Sequence, residues 1–215
     1  NGDYAGLDAL LKAGISQHRA ITPRQAADNL LDIFSRLGRE NQGLSWGWSD
    51  LDATSGGLFP GELTIVGARP SVGKSELLYQ LALNLARTDN SVLVCSAEMT
   101  LDMLQEREIA MEPGVSVDDL RHNKTPTDFD VKISELAVRI DKRPLHTLTG
   151  AMGTPEITTE AHRLKRESGL SCIVVDYLQR LNDCYDRRYG QRQDERVGYA
   201  SKALKSLATD LGIPV

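Results

Sequence analysis

Four short apolar runs stand out along the chain: LTIVG at 63–67, VLVCS at 92–96, LHTL at 145–148 and SCIVV at 171–175. Between them, near 75–87, 101–111, 127–141 and 156–168, apolar residues recur at three- and four-residue intervals. The unbroken runs predict strands buried on both faces, and the spaced stretches predict amphipathic helices. Val197, Ala200, Leu204, Leu207, Ala208 and Leu211 add a last helix before Ile213 opens a further apolar run. Strands alternating with helices imply right-handed crossovers and a mostly parallel sheet flanked by helices, an α/β class. Such sheets take their ligands at the carboxyl ends of the strands.

Ahead of this pattern lies one isolated helix. Thr22, then Pro23 at the first helical position and Gln25 three residues after the threonine, form a capping-box start, with Gly38 as a stop. Ala27, Leu30, Leu31, Phe34 and Leu37 fall on one face, which must dock either on its own domain or on a neighbouring subunit. A Gly/Ser/Trp-rich connector, NQGLSWGW at 41–48, follows, and Trp46 and Trp48 are expected to cover the junction of helix and core. Residues 1–21 carry only a weak helical pattern broken by glycines.

Composition narrows the class without naming it. The 215 residues are 40% hydrophobic and 26% charged, which excludes disorder, and no run approaches the ~18 apolar residues of a membrane span. A formal charge of −5 confines any nucleic-acid contact to a local patch. Cys95, Cys172 and Cys184 show no CxxC pair, so neither a disulfide framework nor a zinc site is expected, and the expected compartment is the reducing cytoplasm. With Asn1 at its head and an apolar run opening at Ile213, the chain reads as a fragment.

The candidate chemistry begins after the first predicted strand, which runs into GARPSVGKS (67–75) and then a helix. A glycine-bearing turn between strand and helix lets backbone N–H groups point at a phosphate, and the helix amino terminus adds partial positive charge. Arg69, Pro70, Ser71, Val72 and Gly73 supply that turn, Lys74 reaches the β- and γ-phosphates, and Ser75 places its hydroxyl on Mg²⁺. Ala68 stands where the GxxxxGK[ST] pattern has its first glycine, with Gly67 adjacent. SCIVV delivers Asp176 to a strand end, either to hold Mg²⁺ opposite Ser75 or to cap a helix. Glu98 closes VLVCSAE in the same way, on a strand expected beside the P-loop strand; it is a general base for attack on a γ-phosphate or a surface cap.

Several segments together carry a family resemblance. ARPSVGKS, SAEM (96–99) followed by Arg107, AHRLKRESGL (161–170), VVDYLQ (174–179) and the lead-in TSGGLFPGEL (54–63) resemble the ATPase domain of bacterial replicative DNA helicases, the DnaB family. The resemblance implies a RecA-like P-loop NTPase core over 44–215, incomplete at its end, preceded over 1–43 by an N-terminal remnant and a linker helix. It implies ATP and Mg²⁺ as cofactors, single-stranded DNA as the track, and a homo-hexamer joined through the 22–38 helix. A primase and a helicase loader are the implied protein partners. Lys74 and Glu98 match the family's catalytic positions, Ser75 and Asp176 its metal positions and Arg69 its P-loop arginine. Arg107 and Gln179 match family positions without an assigned role. The family's polar sensor, later DNA-binding loop and arginine finger fall beyond the matched segment, so weak hydrolysis is expected of this chain, because a trans arginine commonly supplies ~10³–10⁵ in rate. A RecA-like recombinase and a nucleotide-binding assembly ATPase without unwinding are the alternatives.

Residues 180–196 hold five arginines and two tyrosines in a polar stretch at the sheet's carboxyl end. Arg187, Arg188 and Arg192 are candidate DNA contacts, with Tyr185 or Tyr189 placed to stack on bases; the plainer reading is a solvated loop.

Overall fold

The apolar runs at 92–96 and 172–176 sit side by side because each must bury both of its faces. In the computed structural model, which describes residues 21–36, 43–69, 71–111, 116–122, 124, 126–189 and 192–215, they are strands β1 (Val92–Ser96) and β3 (Cys172–Asp176). With β2 (Leu145–Thr149) they form a parallel sheet of order β2–β1–β3 among the described residues. Alternate residues point to opposite faces. Leu93, Cys95 and Ile173 enter one core with α7 (Thr154–Ser168) and α8 (Gln193–Leu211), through Ile157, Leu164 and Leu204. Val92, Val94, Cys172 and Val174 enter a second core with α3 (Lys74–Arg87), through Leu81, Leu83 and Leu85. Neither face meets water, which is why β1 and β3 carry no polar alternation.

Two predicted strands differ from expectation. The 145–148 run is an edge strand, half-buried or exposed along its length, because β1 lies on one side only. The 63–67 run forms no regular strand. Its neighbour is the Ile213–Val215 stretch: Val215 donates to the Glu62 carbonyl (2.9 Å) and Thr64 donates to the Val215 carbonyl (2.8 Å), a ladder too short to count as a strand. Ile173 of β3 donates to Pro214 (3.1 Å), so 213–215 lies between β3 and the P-loop segment. The strand that leads to Glu98 is therefore beside β3, not beside the P-loop segment as expected.

The remaining helices are α1 (Pro23–Arg36), α2 (Ser49–Ser55), α4 (Leu101–Ile109), α5 (Val117–Arg121) and α6 (Phe129–Lys142). The chain divides into two compact units, Asn1–Glu40 and Asn41–Val215. In the first, the predicted capping box forms: Gln25 N–H donates to Thr22 Oγ1 and Thr22 N–H donates to Gln25 Oε1. Leu30, Leu31 and Phe34 on its apolar face are exposed; Leu37 and Gly38 lie outside the described residues. In the second unit the TSGGLFPGEL lead-in makes a close crossing with the connector. Leu44 and Leu58 exchange backbone hydrogen bonds at 2.8 Å, and a Cβ on Gly57 (φ +94°) would sit 2.8 Å from the Leu44 carbonyl oxygen. Trp46 is buried in the core against α3. Its N–H donates to Asp52 Oδ1 (2.8 Å) and its indole N–H donates to Ser55 Oγ (2.9 Å).

The helix that carries Lys74 is clamped from outside. Arg143, just after α6, grips Glu108 of α4 with two hydrogen bonds (2.6 and 3.0 Å), and Tyr79 of α3 donates to the same carboxylate at 3.0 Å. Burial first, and then the Glu108 charge, push the Tyr79 phenol well above its usual range, so it stays a donor. Burial likewise pushes the Cys95 and Cys172 thiols up to about 12, and all three cysteines are free. No helix among the described residues is long and apolar enough to cross a membrane.

Removing one partner of a buried ion pair strands the other charge, at about 3–5 kcal/mol. Arg143→Ala is expected to lower the unfolding free energy by about that amount, read as a shifted urea midpoint at unchanged slope.

Candidate functional site

The site is built where β1, β3 and α3 end or begin together. Gly73 adopts φ +99° and caps α3, accepting at its carbonyl from Leu77 N–H (2.9 Å), so the helix starts at Lys74. Ser71 is also left-handed, at φ 64°. These two residues turn the chain between the P-loop segment and α3. Ala68 is not among the residues with positive φ, so its Cβ costs nothing there. The missing glycine is thus explained by backbone geometry.

Across from the turn, Ser96 of β1 is level with Asp176 of β3, and Ala97 N–H donates to the Asp176 carbonyl at 2.9 Å. Ser96 Oγ accepts from Met99 N–H (3.0 Å), which folds residues 97–99 over the end of β1 and presents Glu98 at the surface. Thr100 then caps α4 by accepting from Met103 N–H. One strand register therefore sets both acids.

The Lys74 ammonium lies 3.4 Å from Asp176 Oδ1 and 3.8 Å from the centroid of the Tyr177 ring. The Asp176 side chain is 7% exposed, and the lysine contact is an ion pair without hydrogen-bond geometry, so Oδ1 is buried with no hydrogen-bond partner among the described residues. A buried carboxylate oxygen with spare acceptor capacity suits a hard cation or its water. No cluster of three or more His, Cys, Asp or Glu that could hold a metal occurs among the described residues. Mg²⁺ does not need one, since it binds through one or two carboxylates and substrate phosphates.

A cavity of about 820 Å³ opens beside this arrangement, within the ~300–1,000 Å³ of small-molecule sites. Arg69, Ser71, Gly73, Lys74, Ser75 and Glu98 all line it. Arg107 and Gln179 line it as well, and Arg107 is held at the rim by Glu76 (3.1 Å). Val72 is exposed outside the lining, and Pro70 lies outside the described residues. The arrangement can bind an anion at the turn; Asp176 and the Ser75 hydroxyl are the groups that would suit a cation, and Glu98 lines the same cavity as Ser75.

Sequence reasoning passed over Tyr177 as a contact. The residue sits inside VVDYLQ, but only the packing of β3 against α3 turns its ring under the lysine.

Residues 180–189 and 192–196 of the arginine-rich stretch do not line the cavity, and they hold more hydrogen-bonded structure than a solvated loop. A 3₁₀ turn at Leu178–Arg180, whose Leu178 and Gln179 line the cavity, leads into this stretch, and further 3₁₀ turns follow at Asn182–Cys184 and Arg187–Tyr189. Asp183 is buried and accepts from Thr154 N–H (2.5 Å) and Oγ1–H (3.2 Å) at the start of α7, and Arg196 donates to the Cys184 carbonyl (2.8 Å). Arg188 pairs with Asp186 and Arg192 with Asp194, which dilutes their charge, while Arg187 is exposed. Tyr189 is stacked on Tyr199 at 4.2 Å, leaving Tyr185 as the more exposed ring.

A parallel sheet with helices on both faces, and a glycine-capped helix start beside the carboxyl end of β3, define a RecA-like α/β fold. A structure of a DnaB-like replicative helicase and its interactions with primase overlays 99% of this chain and 51% of that one, with TM-score 0.77 at 18% identity. A solved ATPase domain overlays 91% of this chain and 69% of its own, with TM-score 0.80 at 19% identity.

The DnaB-like helicase C terminal domain matches residues 43–215, and the chain belongs to that family. It is 33% identical over 199 residues to the replicative DNA helicase DnaB of Geobacillus stearothermophilus, and 35% identical over 199 residues to the replicative DNA helicase DnaC of Bacillus subtilis (strain 168). Each match covers 89% of this chain and 42% of the relative, so the chain spans less than half the length of these proteins. The family match does not favour the recombinase and assembly-ATPase alternatives.

Gly73 and Gly67 separate conformation from space, since a Cβ would meet nothing within 4 Å at either. Gly73→Ala is expected to cost roughly 1–2 kcal/mol from its left-handed φ alone. Gly67→Ala should stay within about 0.5 kcal/mol. Paired urea denaturation curves check both.

Proposed function

We propose that this chain is the motor domain of a replicative DNA helicase, binding ATP at the 67–75 turn and hydrolysing it to drive movement on single-stranded DNA. The observation that carries the reading is the meeting of Lys74 and Asp176 at 3.4 Å beside a cavity that Glu98 also lines. Lys74 and Asp176 come from separate chain segments, and Glu98, from a third, lines the cavity that Lys74 also lines.

Bound Mg²⁺ supplies charge neutralisation between the phosphates. The chain's own residues do the rest. Backbone N–H groups around Gly73 and at the start of α3 bind the phosphate oxygens, and Lys74 turns its ammonium to the β- and γ-phosphates. Ser75 and Asp176 are the residues that would hold the cation. Glu98 accepts a proton from the attacking water as the water's oxygen bonds to the γ-phosphorus and the bond to the leaving oxygen breaks. Arg69 faces the same cavity as a further phosphate contact.

The wider assembly is proposed on the family likeness. The exposed Leu30, Leu31 and Phe34 of α1 support docking on a second copy in a hexameric ring. The overlaid helicase structure names primase as that protein's partner, and a primase and a loader are proposed here on that likeness. Three unpaired cysteines suit the reducing cytoplasm. Arg187, with Arg188 and Arg192, is the proposed contact to the DNA backbone, and the exposed Tyr185 ring is placed to stack on a base.

Glu98→Gln is expected to lower ATP turnover by about 10²–10⁴ while leaving ATP affinity unchanged. Steady-state hydrolysis with single-stranded DNA, set beside equilibrium nucleotide binding, tests this; equal turnover in both proteins would remove Glu98 as the general base. Arg187→Ala combined with Arg188→Ala should flatten the slope of log K for single-stranded DNA against log salt by about 1.4. An unchanged slope in a fluorescence-anisotropy titration removes this segment from the DNA path.

A further inference from the structure

The Lys74 ammonium is held by two groups at once. It is 3.4 Å from Asp176 Oδ1 and 3.8 Å above the Tyr177 ring. A carboxylate as buried as Asp176 requires a partner charge, because an isolated ion in a low-dielectric surrounding is costly. Lys74 is that charge. The contact lacks hydrogen-bond geometry and leaves Oδ1 without a hydrogen bond among the described residues, so the carboxylate alone does not fix the ammonium. The Tyr177 ring face does, by attraction of a cation to the negative face of an aromatic ring within ~6 Å of its centroid.

We propose that Tyr177 is a positioning residue that keeps the Lys74 ammonium on Asp176, so that the lysine stands in for the divalent cation until a triphosphate draws it away. The inference rests on the proposed nucleotide site and adds a coupling to it. Lys74 and Tyr177 both line the cavity, whereas Asp176 does not. A divalent cation arriving alone must displace the ammonium. A triphosphate gives the ammonium a better partner and clears the carboxylate for the metal. Metal and nucleotide therefore assist each other's binding, and by linkage the factor is the same in both directions. Tyr177 sets part of that factor, because whatever holds Lys74 on Asp176 opposes the metal arriving alone.

The test measures binding rather than turnover. Mn²⁺ is titrated without nucleotide, followed by electron paramagnetic resonance, into the native chain and into Tyr177→Leu, Tyr177→Phe and Asp176→Asn; ATP affinity is then measured with and without Mn²⁺. Tyr177→Leu should bind Mn²⁺ alone about 2- to 30-fold more tightly than the native chain, the factor that a face-on cation–aromatic contact is worth. Its metal–nucleotide coupling should fall by the same factor. Tyr177→Phe keeps the ring face and should match the native chain, and Asp176→Asn should lose Mn²⁺ binding. Native Mn²⁺ affinity and native coupling in Tyr177→Leu, or weaker Mn²⁺ binding there, overturns the proposal. Lys74→Met separates this from the underlying reading: native ATP affinity in that variant sinks the nucleotide site itself. Lost ATP affinity in Lys74→Met, with a Tyr177→Leu indistinguishable from native, sinks only the role of Tyr177.

Discussion

The site depends on the parallel register between β1 and β3. Because Ser96 stands level with Asp176, the two strands end together, and the acids that follow or close them reach the same edge of the sheet. Slipping one strand by a single residue would exchange every side chain between the two cores and turn Asp176 out of its pocket. The register is fixed by burial: Val92 and Val94 belong to one core, Leu93 and Cys95 to the other. Both faces resist a slip, which is stronger specification than a half-solvated sheet provides.

Charged groups gather around that edge. Asp176 is buried against Lys74, and Glu98, Arg69 and the Arg107–Glu76 pair line the cavity that Lys74 also lines. Farther out, Arg143, Glu108 and Tyr79 join α6, α4 and α3 through one buried carboxylate. That cluster touches no part of the cavity. It ties α4, which follows the Glu98 turn, to α3, which begins at Lys74, so the separation of the two catalytic candidates rests partly on residues remote from them.

Much of the fold was legible because its signals are local. The strand runs at 92–96 and 172–176, the capping box at Thr22 and the glycine turn before Lys74 depend on neighbours within a few residues. The 63–67 run was misread as a strand of its own because a strand requires a partner, and here that partner is the three-residue Ile213–Val215 stretch. The arginine-rich segment has the composition of a loop, and its ordering residue, Asp183, bonds to Thr154, 29 positions away. Nothing near Asp183 announces that contact.

By itself the sequence determined the chemistry available: a glycine that accepts φ +99°, a lysine and serine at a helix start, and two acids at the ends of buried apolar strands. Those follow from residue type, spacing and burial pattern. Only the tertiary structure decided which groups meet. It put the Glu98 strand beside β3, laid the Lys74 ammonium over the Tyr177 ring, and paired Arg188 and Arg192 with acids of their own segment. The reason is that contacts between distant segments are set by how two cores pack against one sheet, and that packing is a property of the whole chain rather than of any short stretch.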